Sequence, residues 1–105
     1  DQFFCPTYVD DLVAAIHAVQ ARALSGVMNL SSPEIWSRHQ IAVALARAMR
    51  VDAGLVKKIS LHDFPSMAGR PLNTSMVCSR LKKETDVSFT PLEACIKRVA
   101  THQRL

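Results

Sequence analysis

The chain of 105 residues reads as an α/β protein with three main helices and two or three short strands, forming a single domain over residues 1–105. Three observations predict this. Apolar residues recur at helical spacing in three separate stretches, short apolar runs lie between them, and Ser, Pro and Gly punctuate the joins. The chain alternates between the two element types rather than grouping them, which is the α/β pattern.

Taken in order, Phe3–Pro6 is apolar and extended, because a residue before proline is pushed out of the helical region. Thr7 and Asp10, three apart, form a candidate capping box for a first helix. Val9, Leu12, Val13, Ile16, Val19 and Ala23 then give one apolar stripe about four turns long. Gly26 stands where a helix-terminating glycine belongs, and Val27–Ser31 follows as a strand candidate. Ser31, Ser32 and Pro33 make a turn. Ser37 and Gln40 announce a second helix, with Ile41, Ala42, Leu45 and Met49 on its buried face and Arg38, Arg47 and Arg50 toward water.

Val56–Ser60 is a second strand candidate. Leu61–Asn73 holds two prolines and a glycine and reads as loop, with a short turn near His62–Phe64. Met76–Cys78 is extended, and Ser79 caps a short helix through Lys83. Thr90, Pro91 and Glu93 give an N-cap, a proline at the first position and an acid at the third, so a last helix begins there. Its stripe is Leu92, Cys95, Ile96 and Val99. Strands separated by helices pair in parallel through crossovers, and parallel sheets need both faces covered. Two or three short strands cannot build such a sheet alone, so they are expected to be edge additions to a larger sheet supplied by other chain.

The formal net charge is +4, and it is uneven. Residues 1–50 balance four arginines against four acids, whereas residues 51–105 carry nine Lys/Arg against five acids. A basic half favours an anionic partner. The cations are nonetheless scattered over several elements without interleaved aromatics, which argues against a nucleic-acid-binding domain. No apolar run reaches the length of a membrane span. Cys5, Cys78 and Cys95 are odd in number and widely spaced, which suits a reducing, cytoplasmic setting. His17, His39, His62 and His102 show no ligand grouping, so no metal site is expected.

Two segments carry a family resemblance. Asp1-Gln2-Phe3-Phe4-Cys5-Pro6-Thr7 resembles the D-Q-x-G-x-P-T stretch of extended short-chain dehydrogenase/reductases, followed by Tyr8-Val9-Asp10-Asp11-Leu12 for their V-x-D-L segment. Arg70-Pro71-Leu72-Asn73-Thr74-Ser75-Met76-Val77-Cys78-Ser79-Arg80-Leu81 resembles the R-P-x-N-S-x-L-D-x-S-K-L pattern of the branch containing dTDP-4-dehydrorhamnose reductases. Val27–Ser31 is similar to that family's G-x-Y-H-L-S strand, with Met28 and Asn29 replacing the aromatic and histidine. Phe4 replaces a small or basic residue, and Val77 replaces an acid. The resemblance covers essentially the whole chain and implies the incomplete C-terminal lobe of a Rossmann-type extended reductase.

That resemblance implies a substrate-binding lobe for a nucleotide-linked 4-keto-6-deoxysugar. Its complete enzymes use NAD(P)H and a Tyr-x-x-x-Lys pair. Here the only glycines are Gly26, Gly54 and Gly69, so no glycine-rich dinucleotide loop exists, and the lone Tyr8 is followed four positions on by Leu12. The chain is therefore expected to bind no cofactor, hold no catalytic residue and be inactive alone. Its missing dinucleotide-binding region would come from upstream chain or a partner, and exposed strand edges would favour a homodimer. A similar element occurs in the regulatory β subunit of methionine adenosyltransferase, which gives a non-catalytic alternative.

Four residues are the substrate-binding candidates: Gln2, Thr7, Arg70 and Asn73. Arg70 offers a bidentate fork to a diphosphate, on a loop stiffened by Pro71. Asn73 offers both donor and acceptor to sugar hydroxyls. Against these stand plainer fates, Arg70 pairing with Asp63 and Asn73 capping a turn. Asp10 and Asp11 point about 100° apart on a helix, so capping and solvation fit them better than paired acid–base work. Trp36 either stacks on a ligand or covers the core.

Overall fold

The computed structural model describes residues 1–63 and 68–102. Among them the order is β1 (Phe3–Phe4), α1 (Val9–Ala21), β2 (Trp36–Ser37), α2 (Arg38–Ala48), α3 (Ser79–Glu84) and α4 (Leu92–His102), with 3-10 turns at Ala53–Leu55 and Leu61–Asp63. The α/β class and the three longer helices are as expected. Phe64, named in the expected turn, lies outside the described residues.

The strands are fewer and run differently. β1 and β2 pair antiparallel, Phe3 opposite Ser37 and Phe4 opposite Trp36, which corrects the parallel pairing inferred from the helices between strands. A crossover is parallel only when the helix feeds straight back into the sheet, and here residues 24–35 intervene without regular structure. Phe3 alone makes a parallel bridge, to Asn73. Val27–Ser31 and Met76–Cys78 are not strands. Side chains join them instead: Asn29 Nδ2 donates to the Val77 carbonyl at 3.4 Å, and the Ser31 N–H donates to Cys78 Sγ at 3.0 Å. Val56–Ser60 is likewise irregular.

Of the helix ends the sequence announces, the one at Ser37 forms as expected. Ser37 Oγ accepts from the Gln40 N–H at 3.1 Å and Gln40 Oε1 accepts from the Ser37 N–H at 2.7 Å, a complete capping box. The Thr7 box does not form. α1 has Tyr8 at its N-cap with no side-chain bond, because the Thr7 hydroxyl accepts from the Ser32 N–H at 3.0 Å. Thr90 gives its hydroxyl to Asp11, and Glu34 Oε2 accepts the Leu92 N–H at the start of α4. Gly26 does not end α1. Leu24 N–H to the Val19 carbonyl and Ala23 N–H to the Gln20 carbonyl close a Schellman turn with Ala23 at φ 50°.

Burial is sparse and divided. One cluster joins Ala15 of α1 to Cys78 and Leu81, with Val19, Met28, Leu30, Val87 and Phe89 packed around them. The other joins Leu92, Cys95 and Ile96 of α4 to α2 through Ile41, Ala44, Leu45 and Ala48, and Trp36 and Tyr8 cover it. Of the α1 stripe only Val19 joins a cluster. Val9, Val13 and Ile16 are 61%, 49% and 53% exposed, while Ala15 is the residue fully buried. The helix turns Ala15 and Val19 toward Leu81 and leaves Val9, Leu12, Val13 and Ile16 outward.

The dimensions are open ones. The radius of gyration is 16.4 Å, against about 13 Å for a closed domain of this length. The chain exposes 7710 Å², against about 5,800 Å² for a folded monomer of its mass. Its extents of 47 × 36 × 19 Å describe a slab.

Candidate functional site

β1 is the centre of the only place where the candidate residues converge among the described residues. One edge pairs with β2, and along the other the Phe3 N–H donates to the Leu72 carbonyl at 2.7 Å while Thr74 N–H donates back to the Phe3 carbonyl at 2.9 Å. The two motif segments, distant in sequence, are thus laid side by side. Leu72 and Asn73 sit against Phe3 because both ends of this backbone exchange bind it in register.

Gln2 bridges the elements on either side. Its Oε1 accepts from Arg38 Nε at 2.8 Å, and its Nε2 donates to the Pro71 carbonyl at 3.4 Å, a longer and weaker bond. The Arg38 guanidinium lies over the Phe4 ring, 5.4 Å from its centroid, within cation–π range. Phe4, the departure at its motif position, therefore serves as a platform for a cation arriving from α2.

The other candidates divide. Arg70 is exposed and makes no hydrogen bond or ion pair with any described residue; Asp63 instead accepts from the Ser60 N–H at 2.9 Å. Asn73 uses its Oδ1 on the Ser75 N–H at 2.9 Å, forming the turn cap and leaving its amide nitrogen for other work. Gln2, Arg70 and Asn73 are brought to one edge. Thr7 is not, since its hydroxyl is committed to Ser32 and to the Cys5 carbonyl.

A hollow of about 520 Å³ borders this edge, lined by Asp1, Phe3, Ser37, His39, Gln40, Lys58, Ile59, Ser60 and Asp63. Asp1 shapes its rim, accepting from the Ser60 hydroxyl and, at 2.9 Å, from the Leu61 N–H. A larger hollow of about 820 Å³ lies between α2 and α4 and contains none of the motif residues. The converging motif residues, not the larger volume, mark the candidate site.

Tyr8, the sole tyrosine, is packed in the α2–α4 cluster with the Arg98 guanidinium 5.2 Å over its ring. Among the described residues no three His, Cys, Asp or Glu side chains converge as a metal site, and no helix is long and apolar enough to cross a membrane. Arg38 is exposed, as the sequence predicts, but its contacts with Phe4 and Gln2 at the candidate site are not foreseen there. Only the β1–β2 pairing places it over Phe4, and no local pattern encodes that pairing.

The model of the RmlD substrate binding domain matches residues 1–105, and the chain belongs to that family. It is thereby a member of the nucleotide-sugar reductase family in its substrate-binding part. No curated protein and no solved structure matches the chain.

Proposed function

We propose that this chain is the substrate-binding portion of an NAD(P)-dependent reductase acting on a nucleotide-linked 4-keto-6-deoxysugar, and that it is not catalytic by itself. The observation that carries the reading is the pairing of Phe3 with Leu72–Thr74, which sets Gln2, Arg70 and Asn73 on one edge of a domain of this family. Arg70 supplies the fork for the diphosphate and Asn73 offers its free amide nitrogen to sugar hydroxyls, while Gln2, bonded to Arg38 and to the Pro71 carbonyl, holds the edge together. Thr7 acts behind them, holding the Pro6–Tyr8 bend against Ser32.

Hydride and proton come from a dinucleotide-binding region, in the same polypeptide or a partner, that covers α1. The outward Val9, Val13 and Ile16 support this, as does the exposed area. It exceeds the single-domain expectation by roughly 1,900 Å², the scale that one side of a large obligate interface buries. Isothermal calorimetry tests the reading: the chain alone should bind thymidine diphosphate or its sugar conjugate and show no heat with NADPH. Nicotinamide binding, or turnover of a keto-sugar by this chain alone, would overturn it.

A further inference from the structure

Arg38 carries an inference that rests on the reading above and deepens it. Its guanidinium is held on two sides, by the Phe4 ring at 5.4 Å and by Gln2 Oε1 at 2.8 Å from Nε. Nε is thereby spent, and Nη1 and Nη2 form the remaining edge, the paired-donor geometry that suits two oxygens of one phosphate. Gln2 also reaches the Pro71 carbonyl, so the same side chain spans from Arg38 to the loop that presents Arg70.

Neither arginine is neutralised by a described residue. The ion pairs among the described residues are Arg22–Asp86 and Arg80–Glu84. The carboxylates of this region are bonded elsewhere, Asp1 to Ser60 and Leu61 and Asp63 to the Ser60 N–H. Gln2 thus touches the Arg38 guanidinium and the carbonyl of the residue after Arg70, and two arginines without a carboxylate partner among the described residues suit a ligand carrying two adjacent negative charges.

We propose that Arg38 joins Arg70 to clamp the diphosphate of a nucleoside-diphosphate ligand, Gln2 holding Arg38 toward the Arg70 loop and Phe4 fixing the Arg38 rotamer. Phe4 and Gln2 are positioning residues, and Arg38 and Arg70 are the ones that touch the ligand.

The test is calorimetry on the full chain with thymidine diphosphate, thymidine monophosphate and thymidine. Arg38→Ala should weaken the diphosphate about tenfold or more, narrow its advantage over the monophosphate and leave thymidine unchanged. Phe4→Leu should weaken the diphosphate by a few-fold when Arg38 is present and have no effect in the Arg38→Ala background. If Arg70→Ala weakens the diphosphate while Arg38→Ala does not, the clamp is wrong and the proposed function stands. Equal losses for thymidine and diphosphate in Arg38→Ala would assign Arg38 to the fold and overturn the clamp. A parent chain with no affinity for thymidine diphosphate would overturn both readings.

Discussion

Asp11 receives Thr90 through both carboxylate oxygens: the Thr90 N–H donates to Oδ2 at 2.7 Å and the Thr90 hydroxyl to Oδ1 at 2.8 Å. This fork fastens the first turn of α1 to the entry of α4 across a sequence separation of 79 residues. It also explains why Thr90 does not cap its own helix, a task that Glu34 takes over at Leu92. Hydrogen bonds to a half-buried charge contribute more than neutral ones, so Asp11→Ala should cost about 2–3 kcal/mol. Its neighbour Asp10 is exposed, and Asp10→Ala should stay within about 0.5 kcal/mol. Urea unfolding of the two variants checks this; equal midpoints would remove the fork from any structural role.

Cys95 sits beside that fork, its Sγ 3.7 Å from the Thr90 carbonyl. Burial, reinforced by the Asp11 carboxylate, pushes its thiol pKa up. A raised folded-state value means the native chain holds this proton more tightly than the unfolded chain. The stabilising difference is therefore fully present below the unfolded thiol value near pH 9 and is lost as pH rises through the folded one. Melting temperature should fall above about pH 9, and Cys95→Ala should fall less steeply. Parallel alkaline profiles for parent and variant would show that Cys95 does not govern the slope.

What was legible in the sequence was local. The Ser37–Gln40 box encodes both of its bonds within four residues, and Leu92, Cys95 and Ile96 of the α4 stripe are buried as their spacing requires, whereas its fourth member, Val99, is exposed. Where one side chain had two possible partners, distance in sequence hid the outcome: Thr7 chose Ser32 and Thr90 chose Asp11. The motif edge was half legible. Arg70 and Asn73 stand out by type and spacing, but Arg38 becomes a site residue only through a two-residue pairing too short to announce itself.

Two helix ends are stabilisable for a reason visible only in the backbone. Ala23 and Arg50 occupy the left-handed position that closes α1 and α2, at φ 50° and 59°. A side chain there costs roughly 1–2 kcal/mol, and the greater unfolded-state freedom of glycine offsets part of the relief. Ala23→Gly and Arg50→Gly should each raise stability by about 0.5–1 kcal/mol, several degrees in melting temperature for a chain of this size. Gly26 is the converse. At φ 87° an added Cβ would be strained and would lie 3.3 Å from Arg80 Nη1, which is bonded to the Val27 carbonyl. Gly26→Ala should cost about 1–2 kcal/mol. The opposite sign at any of the three positions in thermal melts would refute the assignment there.

The outward face of α1 makes the last prediction, because stability and association separate cleanly on it. Val13 and Ile16 touch water over half or nearly half of their surface, so Val13→Asp and Ile16→Lys remove little burial within this chain. Each should change unfolding free energy by no more than about 0.5 kcal/mol. If a dinucleotide-binding region covers this face, the same substitutions place a charge inside a large apolar contact, at several kcal/mol. Expressed together with that region, Val13→Asp and Ile16→Lys should lose the contact in co-purification, or in a single longer polypeptide lose cooperative unfolding of the two parts. Unchanged association, with both variants folded as judged by circular dichroism, would move the covering surface away from α1.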